Sequence, residues 1–273
     1  MNTPSAAAER ASRSSFYRGM RILPRAEREA MFEIYAFCRA VDDIADDPGP
    51  RETRRGQLQQ WRSDLDALYG GTPAAHLRGL AAAVTTFNLQ HEDFFAVIDG
   101  MEMDVIADIR APDGATLALY CDRVACAVGR LSVRVFGMEQ QAGLALADHL
   151  GRALQLTNIL RDLDEDAAMG RLYLPREALR DSGIISTDPV TVLANPMLGE
   201  ACGVIVEQAR RHFDEANAIM ARSLHRVVRA PRIMGAAYRA ILDKLIARGF
   251  APPRRPVRLP RARLLLIVLR NLL

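Results

Sequence analysis

Two short runs of carboxylates stand apart because nothing in helix building requires them. Asp42-Asp43-Ile44-Ala45-Asp46-Asp47 closes the first long segment of helical apolar spacing, and Asp162-Leu163-Asp164-Glu165-Asp166 follows Arg161 far downstream. Residues three and four apart share a helix face, so Asp42, Asp43 and Asp46 converge, as do Asp162 and Asp166. Like charges at that spacing cost about a few tenths of a kcal/mol per pair. The first run also sits at a helix C-terminus, where the macrodipole disfavours anions. Two local penalties at one place call for a compensating cation or ligand.

Upstream of the second run, Gln155, Asn158 and Asp162 form a polar stripe on a helix otherwise built from Leu154, Leu156, Ile159 and Leu160. Such a stripe facing a core is costly unless it meets a ligand or a network. The plain alternatives are a solvated, fraying helix end for the first run and an exposed polar face for the second. Each run has an arginine beside it, Arg39 and Arg161. Mg²⁺ takes oxygen ligands, keeps several waters, and is usually held by one or two carboxylates plus substrate phosphates. Two such runs facing each other can hold two to three Mg²⁺ ions around a diphosphate and stabilise it as it departs. A di-metal helical bundle would need Glu-x-x-His pairs, which are missing. Zinc-protease, Walker and dinucleotide-binding motifs are missing as well.

The elements that must position these groups read as helices throughout, with no sustained strand alternation. The first helix begins after Pro24, runs through Ala30, Ile34, Phe37 and Val41, and ends near Pro48-Gly49-Pro50. Others are expected over Glu52–Tyr69, Ala74–Phe87, Glu92–Ile109, Thr116–Phe136, Gln140–Ala168, Glu200–Val228 and Pro231–Arg248. Gly70-Gly71, Pro112-Asp113-Gly114, Gly137 and Gly170 separate them, and Gly183–Pro196 reads as the longest loop. No linker or fixed-period repeat divides the chain, so residues 1–273 read as a single all-α domain. Residues 1–13 are expected to be disordered and 252–263 to form a basic loop.

The composition fits a large buried core, with 49% hydrophobic residues, 6% aromatics and 273 residues. A net charge of +3 gives no case for nucleic acid. Lys244 is the only lysine, so the positive charge is almost all arginine, the residue suited to bidentate phosphate recognition, although codon bias accounts for most of it. Cys38, Cys121, Cys126 and Cys202 show no metal spacing and read as small buried hydrophobes in a reducing cytoplasm. The five histidines (His76, His91, His149, His212, His225) form no constellation and read as surface or capping residues. Trp61 reads as a helix-packing residue. No apolar signal core opens the chain, and Leu264–Leu269 is far too short to span a bilayer.

The motifs now resemble a known family. Ser15-Phe16-Tyr17, Leu23-Pro24 and the run from Ile34-Tyr35 through Cys38-Arg39 to Asp42-Asp43-Ile44-Ala45-Asp46 are similar to the first signature of the squalene/phytoene synthases. Gly151 through Asp162, then Asp166 and Gly170-Arg171-Leu172-Tyr173-Leu174-Pro175, is similar to the second. Tyr120-Cys121, Val124-Ala125 and Gly129 resemble the family's central helix. The likeness runs from about Ser14 to Arg263, and its first signature is most similar to the bacterial branch that serves hopanoid biosynthesis.

The resemblance implies an isoprenoid-synthase helical bundle around a central apolar cavity. By position, Asp42, Asp46, Asp162 and Asp166 would hold magnesium and diphosphate, with Asp43 and Asn158 in support. Arg39, Arg161 and Arg171 would contact diphosphate, and Ser15 and Phe16 would belong to a flap over the first site. Tyr35, Gln155, Asn158 and Tyr173 would line the reaction centre, with Tyr120 beside it. Val124, Ala125 and Gly129 would let a prenyl chain pass, or else serve close helix packing.

The implied reaction is head-to-head condensation of two farnesyl diphosphates to presqualene diphosphate, with NADPH not expected. The alternatives are phytoene or dehydrosqualene synthesis by further ionisation, or a non-catalytic helical partner of the same fold. The chain would be a cytoplasmic monomer or homodimer. Its tail, with Arg254, Arg255, Arg258, Arg261 and Arg263 before an apolar end, either rests on anionic lipid at the inner membrane surface or is a solvated loop leading into a packed helix.

Overall fold

Pro24, locked at φ −51°, starts helix α1 (Arg25–Asp46) in the computed structural model, which describes Met20 and residues 22–272. Ala30, Ile34, Phe37, Val41 and Ala45 recur at helical spacing along α1 and are all buried, leaving the aspartates on its half-exposed side. The extended residue Asp47 and Pro48 stop it where the sequence predicts. Helices α2 (Arg51–Tyr69), α3 (Arg78–Phe87, after a 3₁₀ turn at Ala75–Leu77) and α4 (His91–Ile106) follow. Trp61 of α2 packs edge-on against Phe37 with ring centroids 5.4 Å apart, the packing role expected of it.

The Thr116–Phe136 segment is helical but changes gait. Helix α5 (Gly114–Cys121), capped by Asp113 accepting from the Thr116 amide at 2.7 Å, passes into a π-helical turn at Asp122–Cys126 and then α6 (Ala127–Val135). Two glycines admit that turn. A Cβ on Gly100 would lie 2.6 Å from Val124, and one on Gly151 would lie 2.9 Å from the Cys126 backbone.

The Gln140–Ala168 helix is broken. Helix α7 (Gln140–Arg161), capped by Glu139, ends at Asp162, whose φ −101° and ψ 14° depart from helix, and α8 (Leu163–Ala168) restarts at once. Short helices α9 (Arg176–Asp181) and α10 (Pro189–Leu193) come next, the latter inside the expected loop and capped by Asp188. The last long pair is α11 (Leu198–Arg222) and α12 (His225–Arg248). Pro231, expected to begin a helix, sits inside α12 instead, buried against the cavity described below. The basic segment stays irregular to Pro260 and enters α13 (Arg261–Leu272) at Arg261.

Among the described residues the only strand-like pairing is a bridge between Arg110 and Leu172. Leu172 N donates to Ile109 O at 2.7 Å and Ala111 N donates to Leu172 O at 2.8 Å, lacing the chain after α4 to the chain after α8. Two apolar cores form: one is built chiefly from α1 to α4 with α6, the other from α5, α7, α11 and α12. The cavity opens where they meet. Among the described residues no helix is long and apolar enough to cross a membrane. Cys121, Cys126 and Cys202 are buried, Cys38 is half-buried, and all four are free thiols.

Candidate functional site

Both acidic runs open onto one cavity of about 600 Å³. Asp42 and Asp46 enter its wall from the end of α1; Asp162, Glu165 and Asp166 enter it from the α7–α8 junction. Much of the remaining lining is apolar, with Ile34, Met101, Val128, Phe136 and Leu150 among its residues. Charged groups and hydrocarbon surface thus share one hollow.

Burial, then crowding by Asp46, raises the Asp42 carboxyl to about 6. Burial and neighbouring Asp162 raise Asp166 to about 7, and Asp104 and Asp46 push in the same direction. That Asp166 senses Asp46 shows that the runs approach each other in space. Each is partly neutralised. Arg39 bonds Asp42 at 2.6 Å and also Asp43, while Arg161 grips Asp162 with two bonds of 2.6 and 2.7 Å. Arg171, only 7% exposed, follows the second run and reaches back to the first: its Nη1 donates to Asp46 at 2.7 Å and its Nη2 to the Ala45 carbonyl at 2.9 Å, while its charge pulls the Asp166 carboxyl down.

The donor set suits a hard cation: four carboxylates facing one space, with Asn158 beside them. Asn158 Nδ2 donates to Gln155 at 3.3 Å, while its buried Oδ1 has no hydrogen-bond partner among the described residues. A buried carbonyl oxygen without a donor, next to crowded carboxyls, fits a divalent metal ion or its bound water.

Of the residues singled out in the sequence, Tyr35, Arg39, Tyr120, Val124, Ala125, Gly129, Gln155, Asn158, Arg161, Arg171 and Tyr173 all line this cavity with the four aspartates. Asp43 is exposed and is not among the lining residues. Ser15 and Phe16 lie outside the described residues. Gly129 lines the hollow, and it also permits close helix packing, since a Cβ there would approach Ala147 to 3.1 Å.

Sequence reasoning missed Asp104. It is 3% exposed, and two tyrosines of the cavity wall donate to it, Tyr173 at 2.8 Å and Tyr120 at 3.1 Å. The two rings stack with centroids 4.8 Å apart. Burial raises the Asp104 carboxyl, against the pull of Arg171 and the two hydroxyls. Its only sequence signal was an acid between apolar Met103 and Val105. Tyr238, which lines the cavity close to Arg161, was also missed. The histidine reading needs correction: His149 and His212 are neither isolated nor caps, because their Nδ1 atoms lie 3.0 Å apart between α7 and α11.

A squalene/phytoene synthase family model matches residues 9–263. The chain is 60% identical over 269 residues to a presqualene diphosphate synthase of Rhodopseudomonas palustris, covering 98% of this chain and 96% of that one. It is 62% identical over 245 residues to the presqualene diphosphate synthase of Sinorhizobium fredii, covering 90% and 88%. In three dimensions it is similar to a ligand-bound dehydrosqualene synthase, with a TM-score of 0.85, 24% identity, and coverage of 97% and 93%.

Proposed function

The chain belongs to the squalene/phytoene synthase family, and on that premise we propose that it joins two farnesyl diphosphates head to head into presqualene diphosphate, releasing one diphosphate. The observation carrying this reading is that both acidic runs line one cavity that also has an extensive apolar wall. The near full-length likeness to presqualene diphosphate synthases selects the product.

Asp42, Asp46, Asp162 and Asp166, with Asn158 in support, would hold Mg²⁺ together with substrate diphosphate. Bound there, the ions act as Lewis acids that stabilise charge on the departing diphosphate. Arg39, Arg161 and Arg171 take diphosphate oxygens, for which the planar guanidinium is suited. The donor's C1–O bond breaks to leave an allylic cation and free diphosphate. The acceptor's C2=C3 bond attacks that C1, and loss of a proton closes the cyclopropane. Met101, Val124 and Leu150 keep water from the cation. Because Tyr120 and Tyr173 spend their protons on Asp104, each has its phenol oxygen to offer a neighbouring positive charge. Asp104 is then a positioning residue.

The deciding assay incubates purified protein with Mg²⁺ and farnesyl diphosphate, without NADPH, and reads products by mass spectrometry. Presqualene diphosphate is expected. Phytoene made from geranylgeranyl diphosphate at a higher kcat/KM would overturn the assignment.

The carboxy-terminal segment supports peripheral contact with an anionic bilayer. No Asp or Glu occurs from Gly249 onward, while Arg255, Arg258, Arg261, Arg263 and Arg270 are exposed. On α13, Leu265, Leu266 and Leu269 are 60%, 55% and 51% exposed and share one face with Ala262. Each basic residue near an anionic surface contributes ~1 kcal/mol, and the leucines add apolar insertion.

A further inference from the structure

The pair His149–His212 lies outside the prenyl cavity, since neither histidine is among its lining residues. Each is half-buried, on facing helices, and a carboxylate oxygen of Asp148 lies within 4.8 Å of a ring nitrogen of each. We propose that Asp148, His149 and His212 form a binding site for a borderline transition-metal ion of the Zn²⁺ class, which ties α7 to α11.

The two Nδ1 atoms lie 3.0 Å apart, at ring-to-ring hydrogen-bond distance. Two metal–nitrogen bonds of about 2.1 Å at a tetrahedral angle would set them about 3.4 Å apart, so an ion would replace that hydrogen bond with a shift of roughly a few tenths of an ångström. The ring planes are inclined at 45°. A carboxylate on the same side completes a set of two imidazoles and one oxygen, a common set for Zn²⁺, Cu²⁺ or Ni²⁺ and unlike the oxygen-rich prenyl site.

Two neighbours define what the site is not. Arg152 occupies one oxygen of Asp148 at 2.9 Å, leaving the other. Cys126 donates its thiol to the Asp148 carbonyl at 3.4 Å, which directs it to the backbone. Three protein ligands leave a position for water, and His212 borders a groove of about 350 Å³ that also includes Gln208 and Arg152. This grouping was invisible in sequence because it depends on the register of α7 against α11.

The test titrates metal-free full-length protein with Zn²⁺ by calorimetry in millimolar Mg²⁺, then repeats with Co²⁺ to read ligand-field absorption. One saturable site is expected, with a higher melting temperature in Zn²⁺. His149→Gln and His212→Gln should each weaken it by tenfold or more, while Mg²⁺-dependent turnover stays at the wild-type level. Histidine ¹⁵N shifts in wild-type protein keep the test independent of variant folding: Zn²⁺ must move both rings. Failure of Zn²⁺ to saturate, unmoved histidine resonances, or binding abolished by Asp162→Asn but retained in both histidine variants would each overturn the proposal.

Discussion

Arg254 holds Asp164 through Nε and Nη2 at 2.6 to 3.1 Å, and its Nη1 donates at 3.0 Å to the carbonyls of Leu193 and Phe250. Its side chain is 5% exposed. One guanidinium therefore fastens α8, the end of α10 and the chain after α12. Asp164 serves this clasp, while Asp162 and Asp166 on either side of it face the cavity.

Arg254→Ala leaves two carbonyls and a carboxylate short of donors, a loss of about 1–3 kcal/mol. A chain of this size should then melt about 2–4 °C lower per kcal/mol. Because α8 loses its tether, the thermal shift produced by Mg²⁺ with a diphosphate analogue should shrink as well. A variant with a lower melting temperature but a wild-type shift would confine Arg254 to stability.

Asp42→Asn and Asp162→Asn should each reduce kcat by about 10²-fold or more, with circular dichroism unchanged. Removing the crowded charge of Asp42 should leave the metal-free protein as stable as wild type, or slightly more so. Near-wild-type turnover in both variants excludes the metal roles assigned to them.

The raised carboxyls give a signed pH prediction for metal-free protein. Asp42 at about 6 and Asp166 at about 7 exceed the ordinary carboxylate value. Between about pH 4 and 7 the folded chain therefore binds more protons than the unfolded chain. Their stabilising contribution is complete below that window and is lost as pH rises through the folded values. Asp166→Asn should flatten the decline in melting temperature across this range, measured by scanning calorimetry. Parallel curves would show that Asp166 is not held protonated.

Tyr173→Phe removes the 2.8 Å bond to buried Asp104 and should cost about 1–3 kcal/mol in stability. If the phenol oxygen faces the reaction centre, kcat falls more than KM changes. Asp104→Asn, which retains shape and still accepts a hydrogen bond, should recover more stability than Asp104→Ala. Equal losses in those two variants would remove the positioning role.

Leu265→Ser combined with Leu269→Ser should reduce co-sedimentation with phosphatidylglycerol vesicles, and added salt should weaken what remains through the arginines. Wild-type protein that stays in the supernatant with those vesicles would dispose of the bilayer contact.

The fold class and most of the cavity wall were legible because they rest on local facts. Apolar spacing marks the buried side of α1, and four-residue spacing aligns Asp42 with Asp46. Features created by tertiary contact were not legible. The backbone breaks at Asp162 although Leu160 to Asp166 reads as continuous helix, and Pro231 continues α12 because its ring is buried at the cavity. Asp104 gains its role only when the Ile109–Leu172 lacing carries Tyr173 across to it. Sequence spacing says nothing about a partner on another helix.

The π-helical turn at Asp122–Cys126 has a consequence for how the enzyme can change. It absorbs one extra residue inside the helix, so Tyr120 before it and Gly129 after it both stay on the cavity side. Deleting a single residue from it would return the turn to α geometry and leave those two flanks in place. Val124 and Ala125, which line the hollow from within the turn, would be the side chains that move. The hollow would thus be redrawn at its middle, with both ends of the central helix kept.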